Sequence, residues 1–141
     1  MARNSVMHRE KRLVSPKTAI QVTDEEMAIY RATARHREEQ ERQEQERRAR
    51  EAWEVAQRAA VLLKSRFDVQ RVILFGSLAR RDLFHQRSDI DLAVEGITSR
   101  DFWRAWSALD TLDREWEIDL VDVETASLSL RSEIEREGVE L

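Results

Sequence analysis

The sequence of 141 residues contains no cysteine, only one proline and only three glycines. The absence of cysteine excludes a disulfide scaffold, a cysteine-based zinc site and a cysteine nucleophile. The scarcity of glycine and proline excludes a collagen-like chain. The chain also lacks an apolar run near the roughly 18 residues of a membrane span, and its start lacks the apolar segment of a secretory signal. We therefore expect a soluble cytoplasmic protein that does not enter a membrane.

Charge, in contrast, is abundant and unevenly distributed. Charged residues make up 37% of the chain, which is well above the usual share, yet the formal net charge is only -4. Residues 1–23 carry a net charge of +4, residues 24–66 carry ten charges of each sign, and residues 67–141 carry a net charge of -8. We interpret residues 1–23 as a flexible basic arm. Its positive excess is modest, which favours a solvated tail over a segment that binds nucleic acid.

Residues 24–51 have the features of a charged helical extension. Thr23 and Glu26 have the spacing of a capping box, which marks a helix start. Residues 31–52 contain no Leu, Ile, Val, Met or aromatic residue, while Glu and Arg recur at helical spacing, as in the pair Glu44 and Arg48. A helix that is polar on every side has no stripe to bury, so we expect it to face solvent or to contact a partner through charge.

The hydrophobic pattern predicts a folded domain over residues 52–141. Apolar residues from Trp53 to Phe67 recur at steps of three and four, which predicts an amphipathic helix. Strands and helices then alternate, and this alternation is typical of an α/β sandwich. The predicted strands are residues 69–75, 89–94 and 117–123, and the predicted helices are residues 77–84, 99–113 and 127–137.

Two aspartates on the second predicted strand indicate a cation site. Strand alternation places Asp89 and Asp91 on one face and Ile90, Leu92 and Val94 on the other. Two carboxylates at this spacing lie about 6–7 Å apart at their Cα atoms, where they repel each other. A divalent cation relieves this repulsion, and Mg²⁺ is commonly bound by one or two carboxylates together with substrate phosphates.

A third carboxylate is expected from the last predicted strand. Asp119 is flanked by apolar residues, so its charge needs a partner, whereas Glu117 lies near the start of the strand and can reach water. Asp122 falls on the opposite face, near the end of the strand. We therefore rank Asp119 first, Glu117 second and Asp122 third.

The turn at Gly76 and Ser77 indicates a phosphate site. A strand that ends in Gly-Ser and turns at once into a helix offers backbone N–H groups and a hydroxyl to an anion. Arg80, one helical turn later, adds a positive charge to the same place. The turn alone is a weak signal, but its combination with the paired aspartates is much stronger.

These motifs together resemble the nucleotidyltransferase pattern of the DNA polymerase β superfamily. The pattern consists of Gly76 and Ser77, eleven intervening residues, the pair Asp89 and Asp91, and a later carboxylate. The string Leu-Phe-Gly-Ser-Leu-Ala-Arg at residues 74–80 is similar to that of the minimal nucleotidyltransferases of the MNT type. The resemblance spans about residues 53–141, and it departs from many relatives at Arg81, where they have glycine.

The resemblance implies a fold, a site and a reaction. The implied fold is a minimal nucleotidyltransferase fold, of the α/β or α+β class, with a small mixed sheet flanked by helices. Gly76, Ser77 and Arg80 would hold nucleotide phosphates, Asp89 and Asp91 would bind two Mg²⁺ ions, and Asp119 would be a third ligand or a base. The implied reaction is the transfer of AMP from ATP to a tyrosine of a helical HEPN-type toxin, for which this protein would be the antitoxin.

Two other functions remain open at this stage. The domain would be a binding module if it neutralised its partner by contact alone, with the charged extension and the basic arm as the docking surface. A nucleotidyltransferase that modifies small molecules such as antibiotics is the third alternative. Enzymes of that kind usually carry a second, substrate-binding domain, and we expect none here.

Overall fold

The structure is a computed structural model that describes residues 22–80, 84 and 89–141. The predictions made for the basic arm up to residue 21, for Arg81 and for residues 85–88 lie outside the described residues. The chain divides into two compact units, residues 1–42 and residues 43–141. None of the helices among the described residues combines the length and the apolar character that crossing a membrane requires.

A single long helix, α1 (Asp24–Phe67), contains both the predicted extension and the predicted amphipathic helix. It begins with the predicted capping box. The Thr23 N–H donates to Oε1 of Glu26, the Glu26 N–H donates to Oγ1 of Thr23, and both distances are 3.0 Å. These bonds satisfy two donors that a helix start otherwise leaves unpaired. The buried residues of α1 lie in its second half, from Ala49 onward.

The ion pairs on α1 differ from the predicted one. Glu44 pairs with Arg47, three residues away, rather than with Arg48. Arg47 also bonds Glu51 at 2.8 Å, so one guanidinium bridges two carboxylates. Steps of three and of four both bring side chains together on a helix, so periodicity alone does not choose between these partners. Arg48 lies over the ring of Trp116 instead.

Four strands form one mixed sheet in the order β3-β2-β1-β4. Strand β2 pairs antiparallel with β1 and parallel with β3, and β4 pairs antiparallel with β1. The short strand β4 was not predicted. The bounds of the strands are β1 (Arg71–Phe75), β2 (Ile90–Glu95), β3 (Ile118–Asp122) and β4 (Val139–Glu140).

Three further α-helices and one 3-10 turn connect the strands. The bounds are α2 (Ser77–Arg80), α3 (Ser99–Asp110), the 3-10 turn (Val123–Thr125) and α4 (Leu128–Glu137). Thr98 caps α3 by accepting a hydrogen bond from the Asp101 N–H, and Ser127 caps α4 in the same way from the Leu130 N–H. These caps explain why both helices begin close to the predicted positions.

Apolar residues cover both faces of the sheet in the unit formed by residues 43–141. One face packs against α1 and α3, with buried residues such as Leu63, Leu92 and Leu109. The opposite face packs Ile73, Phe75 and Ala93 against Ile134 of α4. Helices thus flank a small mixed sheet, and the predicted α+β fold class with a long charged N-terminal helix is confirmed.

Gly138 ends α4, directly after the helix that was predicted for residues 127–137. Its φ of -74° lies in the ordinary range, so the left-handed conformation that usually selects glycine after a helix is not used. A Cβ atom at this position would instead overlap the Ile134 carbonyl oxygen and a methyl group of Ile73. The glycine therefore permits close packing of the α4 end against β1.

Candidate active site

Two aspartates lie side by side on the sheet face that packs against α4. Asp91 of β2 is the register partner of Asp119 of β3, and the two strands are parallel. Neighbouring strands are about 4.8 Å apart, and side chains in register point to the same face. Residues with the opposite alternation, such as Leu92 and Leu120, are buried in the core on the other face. The sheet therefore brings together two of the three acids that the sequence singled out.

The surroundings of Asp91 are short of positive charge. The pKa of Asp91 is raised to about 6, chiefly by burial and in addition by the negative charges of Asp119, Asp89 and Glu133. Arg80 acts in the opposite direction and lowers the pKa. A cation bound beside this carboxylate would stabilise its charged form, which burial has deprived of hydration. The electrostatics of the site therefore favour the binding of a cation.

The other two acids on or next to β3 are placed differently from Asp119. Glu117 is exposed before the strand begins, and its carbonyl oxygen accepts a hydrogen bond from the Ile90 N–H at 3.0 Å. The Asp122 carboxylate accepts a hydrogen bond from the Glu124 N–H at 3.0 Å and so caps the 3-10 turn. Asp119 is the one of the three that stands in register with Asp91, and its role as third ligand or base stays a prediction.

Gly76 stands directly against the carboxylate of Asp91. Its φ of +78° belongs to the left-handed region, which favours glycine. A Cβ atom here would also overlap the Oδ2 atom of Asp91. Antiparallel pairing of Phe75 with Asp91 explains this proximity, because Gly76 follows Phe75. Glycine is thus required both by the turn and by the neighbouring carboxylate. The turn places Ser77 at the start of α2.

Arg80 is held at the site by helix α4. Its Nη1 atom donates to Oε1 of Glu137 at 2.7 Å, and both side chains are about one-third exposed. Because Arg80 also lowers the pKa of Asp91, its charge acts on the acid cluster and on α4 at once. The predicted phosphate contact by Arg80 stays a prediction, and the structure adds the residue that orients it.

Two acids of α4 belong to this region and were missed in the sequence. Glu133 influences Asp91 electrostatically, and Glu137 pairs with Arg80. They lie four residues apart, so they share one side of α4. Helical spacing shows that they point in a common direction, but only the packing of α4 on the sheet shows that this direction is toward Asp91.

The donor chemistry of the site suits a hard cation. Among residues 22–80, 84 and 89–141, no three His, Cys, Asp or Glu side chains form a ready-made metal site. Mg²⁺ rarely uses such an all-protein cage, and it is usually held by one or two carboxylates with water and substrate phosphates. The pair of Asp91 and Asp119, with Asp89 one residue before β2, supplies oxygen ligands of this kind.

A comparison with protein families gives the class of the protein. Residues 57–141 match the family described as "Polymerase beta, Nucleotidyltransferase". This match covers more than half of the chain, and the chain therefore belongs to the polymerase beta nucleotidyltransferase family. A comparison with curated protein sequences found no match.

The chain is similar to several solved structures, two of which are described here. One is a toxin–antitoxin crystal structure with AMP-PNP, at 27% sequence identity and a TM-score of 0.52, where the match covers 60% of this chain and 70% of that chain. The other is a mutant of the MntA-HpeT toxin–antitoxin, at 25% identity and a TM-score of 0.51, with the same coverage. The similarity to these structures agrees with the predicted resemblance to minimal nucleotidyltransferases.

Proposed function

We propose that this chain is a Mg²⁺-dependent adenylyltransferase that transfers AMP from ATP to a tyrosine of a HEPN-type toxin and so acts as its antitoxin. The observation that carries the proposal is the register of Asp91 with Asp119 beside the turn at Gly76. The family membership supports the reaction class, and the similar toxin–antitoxin structure with AMP-PNP supports both an adenine nucleotide and a toxin as the partner.

The residues of the site have separate tasks in this proposal. The turn at Gly76 and Ser77 offers its backbone N–H groups and a hydroxyl to the triphosphate, and Arg80 neutralises phosphate charge. Asp89 and Asp91 hold the metal ions, with Asp119 beside them. When bound there, Mg²⁺ would supply the positive charge that neutralises the phosphates.

The transfer itself requires positioning more than covalent chemistry from the protein. The tyrosine oxygen of the acceptor attacks the α-phosphorus of ATP and forms a new P–O bond. The bond from the α-phosphorus to the bridging oxygen breaks, and pyrophosphate leaves with that electron pair. Asp119 accepts the tyrosine proton, since it lies in register with Asp91 and is only half-buried.

Mass spectrometry of the co-expressed partner tests this proposal. The partner is purified with the wild-type chain, with an Asp89→Asn/Asp91→Asn variant, and with Asp110→Asn as a matched control on the exposed end of α3. We expect one or more adenylyl groups on partner tyrosines with the wild type and the control, and none with the double variant. Full modification by the double variant would remove the assigned site from the mechanism.

A second candidate function, neutralisation by binding alone, is favoured by one surface feature. Trp103 on α3 is 64% exposed, and its ring stacks on Trp106 with centroids 5.5 Å apart. Exposed aromatic residues of this kind are enriched where proteins bind each other. A partner that co-purifies unmodified, and equally well with the Asp89→Asn/Asp91→Asn variant, would favour this function over catalysis.

A further inference from the structure

Exposed apolar side chains are concentrated around the start of α1. Among the described residues, seven large apolar side chains are exposed, and four of them lie within residues 22–30. These four are Val22, Met27, Ile29 and Tyr30. Single exposed apolar residues are normal on a protein surface, whereas a group of them indicates a place where another molecule binds.

The most exposed member of this group is Tyr30, which is also the only tyrosine of the chain. Its side chain is 69% exposed, and Met27, three residues earlier, lies on the same side of the helix. The adenylyl transfer proposed above requires a tyrosine hydroxyl as its acceptor. The apolar group on α1 therefore contains an accessible residue of the kind that the reaction modifies.

The charges on α1 differ before and after Tyr30. The first turn of the helix carries three acids, Asp24, Glu25 and Glu26. Residues 30–37 contain no acid, and they include three exposed arginines, Arg31, Arg35 and Arg37. The hydroxyl of Tyr30 is therefore presented beside a positively charged stretch of helix.

The order of the strands gives the side from which an acceptor reaches the candidate site. Strand β2 lies between β1 and β3, so the turn at Gly76 and the carboxylate of Asp119 are on opposite sides of Asp91. With the triphosphate at the turn, the acceptor approaches over β3, which is an edge strand among the described residues. Residues 110–124 lead into and through β3 and contain seven acids and one arginine. This acidic side of the site complements the arginines that follow Tyr30.

We propose that Tyr30 is an acceptor for adenylyl transfer catalysed by a second copy of this chain. The proposal rests on the proposed function, because it uses the same site. The second copy is the occupant of the apolar group on α1, since Tyr30 is left exposed by its own chain and its arginines match the acidic side of the site.

The transfer to Tyr30 follows the same chemistry as the transfer to a partner. The Tyr30 oxygen attacks the α-phosphorus of ATP bound to the second copy and forms a new P–O bond. The bond from the α-phosphorus to the bridging oxygen breaks, and pyrophosphate leaves with that electron pair. The tyrosine proton passes to Asp119 of the second copy.

Mass spectrometry of the purified chain, after incubation with Mg²⁺–ATP, tests the modification. We expect one adenylyl group on the wild-type chain, located on the peptide that contains Tyr30. Tyr30→Phe removes only the hydroxyl group, so this variant should gain no adenylyl group and should modify the toxin partner at the wild-type rate. A wild-type chain that modifies its partner but stays unmodified at Tyr30 would overturn the proposal.

A mixture of two variants shows whether the transfer takes place between copies. Tyr30→Phe keeps the site but lacks the acceptor, whereas Asp89→Asn/Asp91→Asn keeps the acceptor but lacks the site. We expect Tyr30 of the second variant to be adenylylated in the mixture and to stay unmodified when that variant is incubated alone. If Tyr30 is modified only in chains whose own site is intact, the role of a second copy is excluded.

Charge variants of α1 test how the two copies meet. Arg31→Ala/Arg35→Ala removes two positive charges after Tyr30, and the matched control Asp24→Asn/Glu25→Gln removes two negative charges before it. Two exposed ion pairs correspond to about a fivefold change in an equilibrium constant. We therefore expect Tyr30 of the arginine variant to be modified about fivefold more slowly at low salt, and the control not to be slowed. Equal rates in the two variants would contradict docking through the arginines.

The toxin partner, added to the same reactions, separates this proposal from the proposed function. Adenylyl groups on both the partner and Tyr30 are the expected result. Adenylyl groups on the partner alone would overturn the role of Tyr30 and leave the proposed function standing. Their absence from both would overturn the proposed function as well.

Discussion

The charge of Asp91 is predicted to destabilise the metal-free protein at neutral pH. The pKa of its carboxyl group is about 6 in the folded protein, against 3.8 for an unperturbed group, so the folded state binds the proton more tightly than the unfolded state does. The protonated carboxyl group therefore contributes to the free energy of unfolding, in full below about pH 4. This contribution is lost as the pH rises through about 6. Asp91→Asn replaces the carboxylate with a neutral group of the same shape and removes this loss.

The magnitude of the effect follows from the two pKa values. The full difference corresponds to about 3 kcal/mol in the free energy of unfolding. Because Asp91 is only partly buried, solvent screening reduces this to about 1–2 kcal/mol. We therefore expect Asp91→Asn to be more stable than the wild type by about 1–2 kcal/mol at pH 7.5 in EDTA, which is a rise of several degrees in Tm. Near pH 4 the two proteins should be equally stable.

Urea denaturation between pH 4 and pH 8, in EDTA and in Mg²⁺, measures this prediction. The exposed Asp110→Asn variant is the control for loss of one surface carboxylate and should match the wild type. Mg²⁺ should stabilise the wild type at pH 7.5 and leave Asp91→Asn unaffected. If Asp91→Asn is equal to or less stable than the wild type in EDTA at pH 7.5, the electrostatic account of the site is wrong.

Three other substitutions test individual contacts. Gly76→Ala should lower the free energy of unfolding by about 1–2 kcal/mol, because residue 76 has a left-handed φ. The added Cβ atom would overlap the Asp91 carboxylate, and this should abolish Mg²⁺-dependent nucleotide binding in calorimetry. Unchanged binding would contradict the close approach of Gly76 to Asp91. Glu137→Gln should weaken ATP binding several-fold by releasing Arg80, whereas the exposed Glu135→Gln should not, and equal Kd values for the two would exclude an orienting role for Glu137. Asp122→Ala should lower the free energy of unfolding by about 1 kcal/mol through loss of the cap, with transferase activity retained; lost activity in folded protein would make Asp122 a site residue.

Strand alternation made much of the sheet and the site predictable. The pattern around Asp91 and Asp119 correctly assigned each to a strand, on the face opposite Leu92 and Leu120. Two local features were equally predictable, the capping box at Thr23 and Glu26 and the turn at Gly76. Both depend on residues that are close in sequence. Each of these features is determined by local backbone geometry.

Contacts between residues far apart in sequence were not predictable in the same way. Nothing in the pattern of α4 indicates that Glu137 reaches Arg80, since helical spacing gives a direction but no target. Arg48 resembled any other arginine of a charged helix, although Trp116 lies beneath it. The overlap that excludes a side chain at Gly138 also depends on how α4 packs on β1. These features arise from packing between elements, which periodicity does not encode.

Incorporation of radiolabelled AMP from α-labelled ATP into the purified toxin partner is the most direct test of the central claim. The assay compares the wild-type chain with Asp89→Asn/Asp91→Asn in the presence of Mg²⁺ and in EDTA. The account predicts label on partner tyrosines only with the wild type and only with Mg²⁺. Label of equal intensity from the double variant, or a partner that is neutralised without any label, would contradict it.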